Sequence, residues 1–142
     1  MVSRVIPVDT FDLVIFGGTG DLSRRKILPG LFRRFVAGQI PNDARIVGAA
    51  RAEMDDAGFR EFATTAIKEF ISEAKRSDDD VQRFVEHLRY DAIDATGENG
   101  WPRLAELIRK DVIQAFYFSV APSLFGDLAE RLHRHGIATE KS

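Results

Sequence analysis

The fold of this chain is decided by residues 13–26, an apolar run that leads through glycines into a basic segment. The stretch reads Leu13-Val14-Ile15-Phe16-Gly17-Gly18-Thr19-Gly20-Asp21-Leu22-Ser23-Arg24-Arg25-Lys26. The pattern predicts a buried strand, a tight turn and a helix, because glycine permits the backbone conformations that such a turn needs. The start of a helix attracts anions, since its first N–H groups and the positive end of its dipole face outward. We therefore expect a phosphate-binding turn, with a dinucleotide pyrophosphate as ligand.

The spacing of the glycines leaves alternatives open. Ile15 stands where the common dinucleotide fingerprint G-x-G-x-x-G has its first glycine. The same residues would also suit a turn that merely joins a strand to a helix. A phosphotransferase of the P-loop class is disfavoured, because no G-x-x-x-x-G-K-[ST] motif follows the first strand.

Length and composition bound the class of protein. The chain has 142 residues, of which 44% are hydrophobic, so it is long enough for one domain with a substantial core. Its 20 lysines and arginines against 22 aspartates and glutamates favour neither nucleic acid nor an anionic membrane as a partner. Cysteine is absent, which excludes disulfides and zinc sites built on thiolates. No stretch reads as a signal peptide or a membrane span, so we expect a cytoplasmic protein.

Short apolar runs alternate with longer helical patterns along the chain. Strands are predicted over residues 12–17, 45–50, 88–93 and 115–120. Helices are predicted over residues 21–37, 55–75, 78–87, 100–110 and 123–135. The first, second and fourth strands are almost continuously apolar, which is typical of strands covered on both faces. This order predicts an α/β fold with a doubly wound, mostly parallel sheet of the Rossmann type.

Two helices contain residues that need separate interpretation. Pro29 and Gly30 fall inside the first helix, where we expect a kink or break because proline lacks an N–H group. Such an interruption could turn the cations of residues 24–26 toward a ligand, although these side chains also suit a solvated surface. The three aspartates at residues 78–80 open the third helix, where acids favour the helix dipole, so we expect no metal site there.

Arg51 follows directly on the second predicted strand. In a doubly wound nucleotide-binding fold this position faces the adenosine ribose, where an acid binds the 2′-hydroxyl of NAD and an arginine binds the 2′-phosphate of NADP. The guanidinium group suits a phosphate because its donors form a fixed planar fork. Glu53 lies close by and could instead pair with Arg51 at the surface. Together with the glycine turn, Arg51 favours NADP over NAD.

The remaining wall of the predicted site comes from the turns after the third and fourth strands. Ligands of open parallel sheets lie outside the carboxyl ends of the strands. Asp94 could accept a hydrogen bond from an adenine amino group there, and Ala95 could offer backbone contacts. Asp94 could equally cap its own loop, while Ser119 and Pro122 are expected to form a turn.

Three stretches of the chain together resemble a known family. They run from Phe16 to Pro29, from Ile46 to Arg51 and from Phe116 to Pro122. In this order and separation they closely resemble the N-terminal coenzyme domain of glucose-6-phosphate dehydrogenases, and the match includes the proline inside the first helix. The resemblance implies NADP as oxidant and hydride transfer from C1 of glucose 6-phosphate to give 6-phosphogluconolactone, the first step of the oxidative pentose phosphate pathway.

The resemblance also implies roles for individual residues. Arg51 would hold the 2′-phosphate, and Asp94 and Ala95 would border the adenine. Phe125 would lie beside the coenzyme, and Lys26 would reach the sugar phosphate. The residues that would wrap the pyrophosphate are Gly17, Gly18, Thr19, Gly20, Asp21, Leu22, Ser23 and Arg24.

The family pattern extends further than this chain does. Members continue into a fifth strand with Glu-Lys-Pro and later carry a histidine base and a large β+α domain, through which a homo-oligomer would form. Residues 1–142 are therefore expected to be an N-terminal NADP-binding domain that is inactive alone, with a sheet incomplete after its fourth strand and helix. No catalytic residue is assigned, since His87, His133 and His135 lie at helices away from the glycine turn. The alternative is a stand-alone NADP-binding or sensing module, which an uncovered sheet edge disfavours.

Overall fold

The computed structural model describes residues 9–137. Most of the N-terminal segment read for a signal peptide lies outside the described residues, as do Lys141 and Ser142. Four strands form one sheet, with β1 at Phe11–Phe16, β2 at Arg45–Ala50, β3 at Leu88–Ala92 and β4 at Ile113–Phe118. Their order is β3-β2-β1-β4, and all neighbouring pairs are parallel. The predicted α/β fold with a parallel sheet is confirmed.

Helices connect the strands as the sequence pattern predicts. α1 spans Leu28–Val36 after a π-helical turn at Ser23–Ile27, α2 spans Asp56–Phe70, α3 Asp78–Val85, α4 Trp101–Leu107 and α5 Phe125–Arg134. Short 3₁₀ turns lie at Glu73–Lys75 and Pro122–Leu124. Asp55 caps α2 by accepting a hydrogen bond from the Gly58 amide at 2.8 Å. Ser77 caps α3 in the same way, accepting from the Asp80 amide at 3.0 Å.

The first helix contains no break at Pro29, but an irregular π-helical turn lies just before this residue. The chain is helical from Asp21 onward, and the turn before Pro29 widens into a π-helix in which the Leu28 amide donates to the Ser23 carbonyl. A π-turn reaches back five residues instead of four, so the missing N–H of proline falls where the hydrogen-bond ladder is already rearranged. The interruption is therefore an extra residue within a continuous helix, which Gly38 closes with a φ of 75°.

Two buried clusters lie on opposite faces of the sheet. α1, α2 and α3 cover one face, where Phe32 and Phe59 are fully buried. α4 and α5 cover the other face, where Trp101 and Leu128 are buried. Each such side chain contributes about 1.5–3 kcal/mol on removal from water, so both layers stabilise the sheet.

β4 departs from the expectation that it is covered on both faces. Ile113 and Tyr117 lie on one side of the strand and are 48% and 45% exposed. On the other side, Phe116 and Phe118 pack into the cluster beneath α5. A continuous apolar run thus identifies β4 as a strand, but it does not show that both faces of the strand are buried.

The parallel register brings the turns that follow the strands to one edge of the sheet. Phe16 pairs with Ala49 on β2 and with Phe118 on β4, while Ala50 pairs with Ala92 on β3. The carboxyl ends of the four strands are therefore nearly level. The glycine turn, the segment after β2 and the segment after β3 meet at this edge, which is where open parallel sheets bind ligands.

Candidate functional site

A cavity of about 260 Å³ opens at the carboxyl edge of the sheet. Backbone and small or apolar side chains form most of its surface, together with one arginine. Its lining residues are Phe16, Gly17, Thr19, Gly20, Ala49, Ala50, Arg51, Ala52, Ile93, Ala95, Val120, Leu124 and Leu128. The turns after all four strands contribute, so the sequence prediction of a site at these turns corresponds to an actual concavity.

Gly17 and Gly18 allow the backbone after β1 to lie very close to the backbone of β2 and to the turn after β4. Gly17 has a φ of 83°, and a Cβ atom there would overlap the Ser119 carbonyl group. A Cβ atom on Gly18 would lie 2.8 Å from the Gly48 Cα. The Gly17 amide also donates to the Ala49 carbonyl at 2.8 Å. These two glycines are thus required by the turn itself, whether or not a ligand is bound.

Gly20 differs, because it lies at the point where the turn enters the helix. Its amide donates to the Gly17 carbonyl at 2.9 Å, and its carbonyl accepts the first intrahelical hydrogen bond, from the Arg24 amide at 3.1 Å. The amides of residues 21–23 therefore precede the helical ladder and are available to an anion. The φ of Gly20 lies outside the left-handed region, but a Cβ atom there would lie 3.1 Å from the Gly17 carbonyl oxygen, so the turn would have to shift slightly.

Arg51 lies at the opposite wall of the cavity, one residue after β2 ends. Its side chain is exposed, and within residues 9–137 it forms no hydrogen bond or ion pair, including with Glu53. A guanidinium group without a hydrogen-bond partner on one wall and free helix amides on the other can bind two anionic groups of one ligand. Leu124 and Leu128 form an apolar wall of the same cavity, against which a planar ring of the ligand could pack. These features fit an anionic dinucleotide.

Comparison with known proteins agrees with this geometry. The family described as "Glucose-6-phosphate dehydrogenase, NAD binding domain" matches residues 14–142. This chain belongs to that family. It is 40% identical over 144 residues to the glucose-6-phosphate 1-dehydrogenase of Rhizobium meliloti, covering 100% of this chain and 29% of the relative. The enzyme of the same name from Gluconobacter oxydans is 40% identical over 139 residues, covering 95% and 28%.

Solved structures of glucose-6-phosphate dehydrogenases share the fold. One, described as a complex with its substrate glucose-6-phosphate, superposes with a TM-score of 0.80 at 27% identity, over 96% of this chain and 30% of that one. A second, from Mycobacterium avium, gives a TM-score of 0.83 at 28% identity, over 93% and 28%. The chain thus spans less than a third of the length of these relatives.

The Asp94 side chain is hydrogen-bonded within its own loop. Its Oδ1 accepts hydrogen bonds from the Thr96 amide at 3.0 Å and the Thr96 hydroxyl at 3.1 Å. These hydrogen bonds are the main reason that the pKa of Asp94 lies below its usual range. The Asp94 carbonyl accepts from the Trp101 indole at 2.9 Å. Ala95 lines the cavity, whereas the Asp94 side chain has the capping geometry that its sequence also allowed.

Arg24 is directed toward α2. It forms ion pairs with Asp21 at 2.9 Å and with Glu69 at 2.6 Å, and its guanidinium lies 5.2 Å from the centre of the Phe70 ring. Lys26 is exposed on the same helix and does not line the cavity. The predicted turning of these cations toward the ligand site is therefore not seen for Arg24.

The other predicted residues of the first helix lie outside the cavity lining. Leu22 is 43% exposed, whereas Ser23 is fully buried and its hydroxyl has no hydrogen-bond partner within residues 9–137. Phe125 is 38% exposed, and its ring centre lies 5.3 Å from that of Phe118. The cavity wall that α5 provides comes from Leu128, together with Leu124 just before the helix.

Sequence reasoning missed the apolar wall of the cavity. Its members are Phe16, Ala49, Ala50, Ala52, Ile93, Val120, Leu124 and Leu128. Most of them are strand-end residues next to the predicted turns, so the rule that places ligands at carboxyl ends could have found them. Leu124 and Leu128 are four residues apart, which is the spacing of one helix face.

Other kinds of site receive no support from the described residues. Asp79 and Asp80 pair with Arg83 at 3.3 Å and 2.9 Å. Within residues 9–137, no group of histidine, aspartate and glutamate side chains is arranged to hold a metal ion. In the same part of the chain, no helix is both long and apolar enough to cross a bilayer.

Proposed function

We propose that this domain binds NADP, in preference to NAD, as the coenzyme-binding part of a glucose-6-phosphate dehydrogenase. The observation that carries the proposal is Arg51, an unpaired guanidinium group in the wall of a cavity that also contains the glycine turn. NADP differs from NAD by a 2′-phosphate, and this arginine lies where the fold presents the adenosine ribose. The family's NAD-binding domain supports a dinucleotide, and Arg51 supports the phosphorylated form.

Each part of the cavity has its own task in this proposal. The backbone from Gly17 to Leu22 binds the pyrophosphate through free amides and the positive end of the helix. Arg51 binds the 2′-phosphate, and Ala95 borders the adenine. Leu124 and Leu128 exclude water from the rings. The coenzyme supplies the hydride acceptor, and these residues supply its position.

We further propose the reaction of the whole enzyme as oxidation of glucose 6-phosphate at C1 to 6-phosphogluconolactone. The names of the relatives and a related structure that holds glucose-6-phosphate support this assignment. Lys26 is the residue of this chain that we assign to the sugar phosphate, because the family resemblance implies this role for it. A homo-oligomeric state and a cytoplasmic location stay predictions.

Residues 1–142 alone are expected to bind NADP without reducing it. Among the described residues that line the cavity, Arg51 is the one with an ionisable side chain, so the cavity offers no general base. An absorbance assay at the NADPH band with glucose 6-phosphate tests this expectation. Sustained NADPH formation would place the catalytic base within these residues.

The Arg51→Ala variant tests the coenzyme assignment. A charge-assisted phosphate contact contributes about 1.5–3 kcal/mol, so NADP binding should weaken by roughly tenfold to a hundredfold, with much less effect on NAD. Calorimetric titration of the purified protein with both coenzymes measures this difference. Arg89→Ala is the matched control, because Arg89 bonds the Glu86 and Leu88 carbonyls at the other end of the sheet. Equal losses for NADP and NAD would remove Arg51 from this role.

A further inference from the structure

The segment that carries Arg51 is hydrogen-bonded to a residue of the neighbouring strand. Residues 51–55 connect β2 to α2 without regular secondary structure. The Ala52 carbonyl in this segment accepts a hydrogen bond from the Tyr90 hydroxyl at 2.7 Å. Tyr90 belongs to β3, where it pairs with Gly48, and it is 1% exposed. A buried phenol thus reaches across β2 to the residue directly after Arg51.

Tyr90 also fixes the far end of the same connection. Its backbone amide donates to the Asp56 carboxylate at 2.7 Å, and Asp56 is the first residue of α2. The Tyr90 ring packs against Phe59 on that helix, with ring centres 5.4 Å apart. Both ends of the Arg51 segment are therefore bonded to one residue, whose own ring is immobilised in the core.

The Tyr90 hydroxyl donates to the cavity wall at neutral pH. Burial is the main reason that the pKa of Tyr90 is raised to about 12, with smaller contributions from the Asp91 and Glu53 carboxylates. The phenol therefore stays protonated at neutral pH and keeps its hydrogen for the Ala52 carbonyl. Ala52 lines the cavity next to Arg51, so this hydrogen bond fixes part of the cavity wall.

We propose that Tyr90 is a positioning residue for coenzyme selectivity, which holds the Arg51 segment in place against β3 and the start of α2. The inference rests on the proposed NADP function, because the 2′-phosphate is the group that Arg51 would meet. A guanidinium on a fixed segment loses less conformational freedom on binding than one on a loose segment. The pyrophosphate does not depend on this segment, since backbone amides of the glycine turn bind it. Tyr90 thus acts on the phosphate that distinguishes NADP from NAD.

The test uses Tyr90→Phe, which removes one oxygen atom and keeps the buried ring. Dissociation constants for NADP and NAD are measured by calorimetry on wild-type protein and variant, and the ratio of the two constants is compared. We expect NADP binding to weaken by about threefold to tenfold and NAD binding to change less than about twofold. Tyr117→Phe is the matched control, because Tyr117 is 45% exposed and does not line the cavity.

The possible results separate the inference from the function on which it rests. If wild-type protein does not prefer NADP, or if Arg51→Ala leaves the preference intact, the proposed function fails. If Arg51→Ala abolishes the preference but Tyr90→Phe leaves the NADP-to-NAD ratio at the wild-type value, the role of Tyr90 is overturned. A lower melting temperature with an unchanged ratio would show that the hydroxyl serves the core alone. A selective loss of NADP affinity at an unchanged melting temperature supports the inference.

Discussion

The two ends of the sheet both carry arginines beside a cavity, but they use them differently. At the amino end, a cavity of about 480 Å³ is lined by Arg45, Arg83, Arg89 and Arg109. Each of these guanidinium groups is bonded within the protein, to carboxylates or backbone carbonyls. The carboxyl end has a cavity of about 260 Å³ and one arginine, Arg51, which no described residue engages. The larger cavity has more cations, but each of them already has a partner within the protein.

Two buried carboxylates show the same contrast. Asp12, near the amino end of β1, is fully buried and accepts from Arg109 through its amide at 2.7 Å and its guanidinium at 2.6 Å. Asp91, near the carboxyl end of β3, is 2% exposed, and its Oδ2 has no hydrogen-bond partner within residues 9–137. Unsatisfied buried polar groups cost stability, so Asp91 lowers the stability of the folded state, whereas the fully paired Asp12 does not.

The largest expected effect is on the glycine turn at the carboxyl end. Gly20→Val places a branched side chain where the turn enters the helix and where we assign the pyrophosphate, so binding of both NADP and NAD should be lost. Calorimetry or fluorescence titration measures the loss. Gly30→Val is the matched control, because a Cβ atom on Gly30 has no other atom within 4 Å. Retained NADP affinity in a folded Gly20→Val protein would mean that the glycines serve only the turn.

A substitution at the amino end of the sheet should lower the free energy of unfolding without changing the affinity for NADP. Arg109→Met removes the partner of the fully buried Asp12 carboxylate, which should lower the free energy of unfolding by about 3–5 kcal/mol. Because Arg109 is far from the glycine turn, NADP affinity in the folded fraction should stay at the wild-type level. Urea denaturation and calorimetry measure the two quantities. An unchanged unfolding free energy would show that the Asp12 pair is not structural.

Asp91 makes stability depend on pH in the acid range. Burial raises its pKa from 3.8 to about 6, against the lowering influence of Arg103, whose Nε lies 3.5 Å from Oδ1. The folded state then binds more protons than the unfolded chain between pH 4 and 6, so the stability contributed by protonated Asp91 is lost as pH rises through this window. Asp91→Asn should remove this loss, making the variant more stable than wild type by about 2 kcal/mol at pH 7. Urea denaturation of wild type and variant at pH 4 and pH 7 measures the difference in the free energy of unfolding. The same difference at both pH values would contradict the raised pKa of Asp91.

The smallest effect is expected at Arg24. Its ion pairs with Asp21 and Glu69 are exposed, and such pairs contribute about 0.2–1 kcal/mol. Arg24→Gln should therefore change stability by less than about 1 kcal/mol and NADP affinity by less than about threefold. A tenfold loss of NADP affinity would instead show that Arg24 leaves Glu69 and joins the pyrophosphate site.

The sequence predicted the sheet because the strands follow from local patterns, and it placed the candidate site at the ends of those strands. Apolar runs identified the four strands within two residues, and the glycine turn and Arg51 lie at strand ends. What it missed depends on partners distant in sequence. Arg24 pairs with Glu69, which lies 45 residues away, and no local pattern indicates that contact. The half-exposed face of β4 likewise depends on which elements pack against Ile113 and Tyr117.

The glycine turn shows how one sequence pattern can have two structural causes. The sequence predicted a phosphate-binding turn and left open a turn that only joins a strand to a helix. The structure separates the glycines, because Gly17 and Gly18 are needed for the close approach of backbone segments, while Gly20 lies at the helix entrance. A glycine in the sequence indicates that a larger side chain would not fit at that position. It does not indicate whether a ligand or a neighbouring backbone segment takes up the space.

The π-turn before Pro29 divides the first helix into two segments. The side chains of the second segment are rotated about the helix axis relative to where a regular α-helix would place them. One extra residue in a helix rotates everything after it by about 100° relative to a regular helix. The first turn can thus aim its amides at the ligand edge, while α1 aims Leu28 and Phe32 into the core. Deleting one residue from Ser23–Ile27 would restore a regular helix and couple these two directions again. Either the amides or the core side chains would then face the wrong way, so the length of this turn is under a geometric constraint separate from its chemistry.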